Sequence, residues 1–319
     1  MKICVINTLY PPYVLGGAEV SVELLVKAYI DEGHDVTVLF THKEGLEIVK
    51  GSLRLVGVRV PQVFWRFEAK NQSILKLLLW RIVEFWNFRA LAHSNENFYN
   101  FDKVVINNIS GFSPFILSRL PLDRSELIIR DFYFTCAKTS MYGKKACMNQ
   151  CVLCKFYTLP RRHYYSKIQR VTHISNFMKG MFERINYVNA NAHVVYNKIA
   201  RRNIPAKISR TFNYGYIGSD QRAKGFSNLR QFWISQDESR SLIVAGRVEE
   251  DNESDIDYLG FIDKDKFYRQ IDFLIVPSQW HEPFGRVVIE SLSFGIPVIT
   301  TGMGGIRELI KDGVGFSYD

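Results

Sequence analysis

No stretch of this sequence stays apolar long enough to cross a bilayer. The best candidate, Ile74 to Phe88, is broken by Lys76, Arg81 and Glu84, whereas a membrane helix needs about 20 predominantly apolar residues. The opening MKICVINTLYPP holds one Lys and a short strand-like run, so neither a signal peptide nor an anchor is expected there. Internal repeats and low-complexity tracts are absent, and the seven histidines show no ligand spacing. His281 reads as a loop residue beside Glu282. Cysteine is scarce, five in 319 residues, yet four of them (Cys136, Cys147, Cys151 and Cys154) fall between positions 136 and 154. A chain without a leader is expected in the cytoplasm, where thiols stay reduced and clustered cysteines bind metal more often than they pair. Four thiolates suit a structural tetrahedral zinc, and an iron–sulfur cluster has the same ligand count. A loop of reduced or incidentally paired thiols is the plainer reading. Cys4, alone in the first strand, reads as core.

Positive charge is in excess. A net charge of +9 and a pI near 9.2 point to an anionic partner, whether phosphorylated substrate, acidic membrane or nucleic acid. The basic residues look scattered and no nucleic-acid recognition module is present, which ranks nucleic acid last. An apolar fraction of 47% and a charged fraction of 23% are those of an ordinary globular protein, and the length suits two α/β domains.

The first forty residues read as strand, glycine turn, helix, strand. Lys2 to Asn7 is a buried strand, Tyr10 to Glu19 a turn rich in Pro and Gly, Val20 to Ile30 a helix stopped by Gly33, and Asp35 to Thr41 the next strand. That βαβ opening argues for a doubly wound parallel sheet. Lys103 to Asn107, Leu127 to Ile129 and His193 to Tyr196 supply further strands. A second block begins near Phe212, with strands at Tyr214 to Gly218, Ser241 to Ala245, Phe273 to Pro277 and Pro297 to Thr301. The boundary is placed in Asn197 to Ser209, giving domains 1–198, with a Cys-rich insert 136–154, and 199–319. The architecture expected is two Rossmann-like halves with a cleft between them, ligands lying beyond the carboxyl ends of the strands.

One segment, SQWHEPFGRVVIESLSFGIPV, sets Glu282 and Glu290 eight positions apart. Pro283 suits a first helical turn and Gly295 with Pro297 a stop, which predicts a helix over Phe284 to Phe294. Eight positions would then separate the carboxylates by roughly 12 Å along the axis, about the span between the sugar and ribose ends of a nucleoside diphosphate sugar. Helix-terminal amides at Phe284 to Arg286 would face the diphosphate. The bland alternative is two solvated helix acids.

This segment resembles the donor-binding signature of retaining family 4 glycosyltransferases, which have the GT-B fold. The matching residues are Pro277-Ser278, Glu282, Pro283-Phe284-Gly285, Glu290 and Gly295-Ile296-Pro297-Val298, followed by Gly304-Gly305 and Glu308 for the family's GGxxE. Pro11-Pro12 with Gly16-Gly17-Ala18-Glu19 resembles its PPxxGGxE, whose glycine loop approaches donor phosphates and acceptor. In FNYGYIGSDQRAKGFSNL, Gly218 opens the loop and Lys224-Gly225 falls on the family's Lys-Gly. The family's Arg is replaced by Ser219, with Arg222 three residues on. Read by itself, Lys224 is a solvated loop cation. Arg130-Asp131 stands where the family often has His-Asp, so Asp131 carries over. Arg130, which cannot act as a base, is left to position oxygens or to pair with Asp131.

The resemblance implies transfer of a sugar from a nucleoside-diphosphate sugar to a glycan or lipid-linked acceptor, with retention and no catalytic metal. Glu290 would hold ribose, Lys224, Arg222 and the Phe284–Arg286 amides the diphosphate, and Glu282 the donor sugar. Gly16 and Gly17 would let the backbone approach the donor, Glu19, Arg130 and Asp131 would lie on the acceptor side, and Glu282, Lys224 and Asp131 would be the catalytic residues. Basic residues beside Trp65, Trp80, Phe85 and Trp86 in Phe64 to His93 suit an anionic membrane surface or, more plainly, a core helix. The family usually continues beyond Asp319, so a shortened C-terminal domain is expected. With Ser219 and Arg130, this motivates the alternative of a non-catalytic nucleotide-binding module.

Overall fold

A computed structural model describes residues 1–60, 79–80, 82–85, 87, 96–199, 212–235, 241–250, 256–310 and 315–317. Contacts divide the chain into two units. The first is Met1–Thr139, Asn149–Ile174 and Lys179–Val195, and the second is Ser140–Met148, Ser175–Met178 and Tyr196–Asp319.

The first unit holds an eight-stranded sheet in the order β3-β4-β2-β1-β5-β6-β7-β8. Its strands are β1 Lys2–Ile6, β2 Asp35–His42, β3 Leu46–Lys50, β4 Leu53–Arg59, β5 Lys103–Ile106, β6 Ser125–Ile129, β7 Arg170–His173 and β8 Ala192–Val194. All neighbours run parallel except the β3–β4 hairpin. Ile3, Cys4, Val5 and Ile6 are fully buried, as continuous apolar runs must be when helices cover both faces of a parallel sheet. Helix α1, Gly17–Asp31, begins three residues before the expected Val20. The Glu19 carboxylate accepts the Gly16 backbone N–H at 2.9 Å and so caps that end. Two short helices, α2 (Val152–Tyr157) and α3 (Leu159–Tyr165), precede β7, and α4, Asn176–Arg184, follows it.

The second unit holds a six-stranded, all-parallel sheet in the order β11-β10-β9-β12-β13-β14. These are β9 Asn213–Ser219, β10 Ser241–Arg247, β11 Ile256–Gly260, β12 Phe273–Val276, β13 Val298–Thr300 and β14 Gly315–Ser317, with helices α5 Phe226–Ile234, α6 Lys264–Tyr268 and α7 Arg286–Ser293. The sheet's two faces carry separate cores, one around Phe267, Leu274, Val288 and Val298, the other around Tyr216, Phe226, Leu242 and Val244. In each sheet the strand order reverses at one point, between β1 and β5 and between β9 and β12. Open α/β sheets bind ligands beyond the carboxyl ends of strands at such a switch. Among the described residues no helix is long and apolar enough to cross a membrane.

Of the aromatic and basic stretch 64–93, the described part is split, with Leu79 and Ile82 exposed. Trp80 and Glu84 are buried, and Phe85 meets Phe115 edge-on at 4.9 Å. Trp65, Trp86 and their basic neighbours lie outside the described residues, as does most of the expected boundary segment 197–209.

His173 closes β7 fully buried, with Nε2 2.9 Å from the Tyr165 hydroxyl. Burial pushes its pKa down to about 3 from 6.5, with the Lys179 charge adding to the shift. The unfolded chain therefore binds a proton below pH 6.5 that the folded chain refuses until about pH 3. Stability from this group is complete above pH 6.5 and is lost as pH falls toward 3. Denaturant midpoints measured across that window should show a slope of about 1.4 kcal/mol per pH unit that His173→Gln removes. An unchanged slope in the variant refutes the assignment.

Candidate functional site

The carboxyl ends of β9 and β12 bring the motif residues of the second unit together. Beyond β9 the chain makes a tight turn, Arg222–Lys224, and then Gly225 in the left-handed region at φ +77°. A Cβ on Gly225 would stand 1.9 Å from the carbonyl oxygen of Pro277, which follows β12. The Gln279 N–H donates to the Ala223 carbonyl at 2.8 Å, so the two loops are stitched by backbone. This close approach carries Lys224 to Glu282.

Glu282 is buried and Lys224 is its counter-ion at 2.7 Å. Ser278 Oγ also donates to Glu282 Oε1 at 2.9 Å. Burial alone would raise the carboxyl pKa. The Lys224 charge and hydrogen bonds from Lys224 and Ser278 outweigh it and hold the group below its ordinary 4.5. Glu282 is thus ionised through the neutral range. The Lys224 ammonium also lies 5.0 Å over the Trp280 ring. An ammonium has three N–H donors, so the bond to Glu282 leaves it capacity for an added anion.

The predicted helix over Phe284 to Phe294 is shorter at its start. Gly285, at φ +94°, is its N-cap, and helix α7 runs Arg286–Ser293. Glu282 sits outside it, in a bridge with Gly304. The Gly305 N–H donates to the Glu282 carbonyl at 2.7 Å, and a Cβ on Gly304 would fall 2.4 Å from that oxygen. These contacts hold the 282–285 backbone out of the helix, so the 12 Å axial estimate does not apply. The first helical amides are those of Arg286 and Val287, because the Val288 N–H donates to Gly285 O. The Phe284 side chain is buried, and the Pro283 carbonyl accepts from Ser175 Oγ at 2.6 Å.

Glu290 is buried and internally satisfied. It accepts from Lys264 Nζ at 2.9 and 2.7 Å, Arg286 Nε at 2.7 Å and the Tyr268 hydroxyl at 3.3 Å, which fills about four lone-pair directions. Neither glutamate is a solvated helix acid. Glu308 accepts from the Asn176 and Phe177 backbone N–H groups and from the Tyr196 hydroxyl, fastening the start of α4.

Sequence reasoning missed two groups here. His281 is 9% exposed, and neither ring nitrogen has a partner among the described residues. Burial lowers its pKa from 6.5. Arg247, at the end of β10, is in register with Ser219, which places a cation one strand away from the substituted position. Arg222 is exposed, and Gly218 lies under the Tyr216 hydroxyl, which would be 2.8 Å from a Cβ there.

At the β1–β5 switch of the first unit, a cluster of short polar side chains forms. Asn108 accepts from Thr8 Oγ1 at 2.9 Å and donates from Nδ2 to Asp131, whose other oxygen accepts the Tyr133 N–H at 2.9 Å. Arg130 Nε donates to Asn107 Oδ1 at 2.9 Å. Asn7, Thr8, Asn107 and Ser110 are buried here, and Asn107 Nδ2 has no partner among the described residues. Gly16 is exposed and a Cβ there would meet nothing within 4 Å. Gly17 opens α1.

Residues 201–319 match the glycosyl transferases group 1 family. The whole fold is GT-B-like, two units each built on a Rossmann-like sheet. HepE from Anabaena, solved with UDP and glucose, superposes with a TM-score of 0.67 at 17% identity, over 100% of this chain and 85% of its own. A 42.6 kDa protein in the cps region of Klebsiella pneumoniae is 27% identical over 98% of this chain and 88% of its own length. The capsular polysaccharide biosynthesis glycosyltransferase CapM of Staphylococcus aureus is 28% identical over 41% of this chain and 37% of its own.

The family match ends short of the cysteines. Cys136 and Cys154 bring their sulfurs to 3.9 Å, near the ~3.8 Å edge of a tetrahedral zinc–thiolate site. Cys147 belongs to the stretch 140–148 that groups with the second unit. Among the described residues no set of three or more His, Cys, Asp or Glu is placed to hold a metal ion.

Proposed function

We propose that this protein is a glycosyltransferase that moves a sugar from a nucleoside-diphosphate sugar to an acceptor hydroxyl on a glycan or lipid-linked glycan, with retention of configuration. The observation that carries the reading is the pairing of buried Glu282 with half-buried Lys224 at the β9–β12 switch. It sets a fixed anion for sugar hydroxyls beside a cation for the diphosphate. As the bond to the sugar breaks, charge grows on the leaving diphosphate. Lys224 and the Arg286 and Val287 amides at the positive end of α7 stabilise that charge, and Arg222 and Arg247 supply further cations near the β9 end. Glu290 takes the ribose hydroxyls once Lys264, whose side chain is 41% exposed, swings aside. Asp131, with Asn108 holding it, belongs to the acceptor side. Glu19 serves the fold by capping α1. HepE holds UDP and glucose in the same fold, and CapM acts in capsular polysaccharide biosynthesis; both favour a sugar nucleotide and a polysaccharide product. The chemistry asks for no catalytic metal.

Incubating the protein with UDP-, GDP-, ADP- and dTDP-sugars and an extract of lipid-linked oligosaccharide should release one nucleoside diphosphate and give an anomer matching the donor. If calorimetry shows none of the four nucleoside diphosphates binding, the donor site is refuted.

A further inference from the structure

The whole formal charge of +9 has one source. Between Asp131 and Glu183 there is no acidic residue, while nine Lys and Arg fall in that interval. Elsewhere the remaining 32 Lys and Arg balance the 32 Asp and Glu. The basic residues are therefore concentrated, which corrects the impression of scatter along the chain.

Helices α2 and α3 lie at the middle of this interval. Their inner face is anchored by Arg161, fully buried, with its guanidinium 3.7 Å over the Tyr133 ring and 4.7 Å over that of Tyr157. Gln150 Nε2 ties the turn between the helices by donating to Thr135 O at 2.6 Å and to Thr158 Oγ1 at 3.0 Å. The outer face is unusual for one so basic. Val152, Leu153, Phe156 and Leu159 are 70%, 67%, 70% and 54% exposed. Beside them, at the end of α4, opens a cavity of about 360 Å³ whose wall includes Lys155, Arg162, Arg184, Asn186, Phe156 and Leu159. Among the described residues none of the three cations has a carboxylate partner, and Glu183, next to Arg184, faces Lys179 at 3.8 Å.

A basic cavity roomy enough for a phosphate-bearing headgroup, beside four exposed apolar side chains, matches one kind of surface. A nucleic acid would neutralise the cations and leave Leu153 and Phe156 in water. A bilayer offers phosphate at the headgroup level and hydrocarbon just beneath it. We propose that this face of the first unit docks on an anionic phospholipid membrane, the cavity taking a headgroup phosphate while Val152, Leu153, Phe156 and Leu159 enter the interface. The inference rests on neither the donor site nor the transfer reading.

Sedimentation of the full chain with phosphatidylcholine vesicles, pure or mixed with phosphatidylglycerol, tests it. The protein should pellet with the mixed vesicles and stay in solution with the pure ones. Lys155→Glu with Arg162→Glu and Arg184→Glu should weaken that partition by at least about fivefold per cation. Arg162→Lys with Arg184→Lys should keep it, which separates charge from folding. Leu153→Ser with Phe156→Ser should lose the binding that survives high salt. The proposal is overturned if the wild type ignores anionic vesicles, or if the charge-reversed protein binds them equally well. It is also overturned if inorganic phosphate alone displaces the protein and the serine variant binds as the wild type does, which would make the cavity a free-phosphate site.

Discussion

Glu282→Gln should lower sugar transfer by about a hundredfold in kcat while nucleoside diphosphate binding holds or tightens. The carboxylate is ionised, because the Lys224 charge and the hydrogen bonds from Lys224 and Ser278 hold its pKa below 4.5. The variant therefore removes a full negative charge at neutral pH. A charge-assisted hydrogen bond to a sugar hydroxyl contributes about 1.5–3 kcal/mol, and one that strengthens as the anomeric centre becomes cationic is lost mainly from kcat. Lys224 points the other way. Freed from its 2.7 Å partner, it offers all its charge to the diphosphate, so affinity for the nucleotide is retained or increased. Steady-state kinetics with calorimetry distinguishes this from damage to the fold, which would weaken both together. In the wild type, falling pH protonates Glu282 only as it passes below 4.5, and its contribution to stability and transfer, complete above that value, disappears from there downward. Equal kcat in the variant and wild type removes Glu282 from the reacting end of the site.

Gly225→Ala should be the most damaging single methyl group in the second unit. The new Cβ would meet the Pro277 carbonyl oxygen at 1.9 Å and its carbon at 2.8 Å. Both are backbone atoms between the β9 turn and the end of β12, so no side chain can rotate away. The φ of +77° adds the usual left-handed penalty of about 1–2 kcal/mol. Relief requires the loops to separate, breaking the Gln279–Ala223 hydrogen bond and drawing Lys224 from Glu282. A loss of about 3–5 kcal/mol follows, read as a fall of roughly 10 °C or more in the melting of this unit. Nucleotide affinity should fall with it. Gly143→Ala, where a Cβ meets nothing within 4 Å, is the control and should leave both unchanged. Wild-type melting in Gly225→Ala contradicts the loop packing described here.

Much of the second unit was legible because its signals are local. Tyr214 to Gly218 and Phe273 to Pro277 are short apolar runs bounded by turn residues, and they form β9 and β12 within a residue or two. Strands β7, β11 and β14 were not recognised, since Arg170–His173, Ile256–Gly260 and Gly315–Ser317 are short or mixed in polarity and become strands through their neighbours. The hairpin of β3 and β4 was missed although Gly51 marks its turn, because the partner β2 supplies much of what makes β4 a strand. Around the motif residues, the partners were not readable from the sequence. Nothing near Glu290 in sequence indicates that Lys264, on another helix, fills its lone pairs. Likewise Glu308 shows no local sign of capping a helix that begins at Asn176.

The sequence by itself determined two largely parallel α/β sheets and the stretches that carry Lys224 and Glu282 at the carboxyl ends of β9 and β12. Apolar runs, turn residues and motif spacing are properties of short stretches and survive without a fold. Tertiary structure alone decided that Glu282 is ionised against Lys224 and that Glu290 is satisfied from within. It also turned Val152, Leu153, Phe156 and Leu159 outward beside a basic cavity. Those outcomes depend on burial and on pairs of side chains far apart in the chain, and both come into being only when the sheets close.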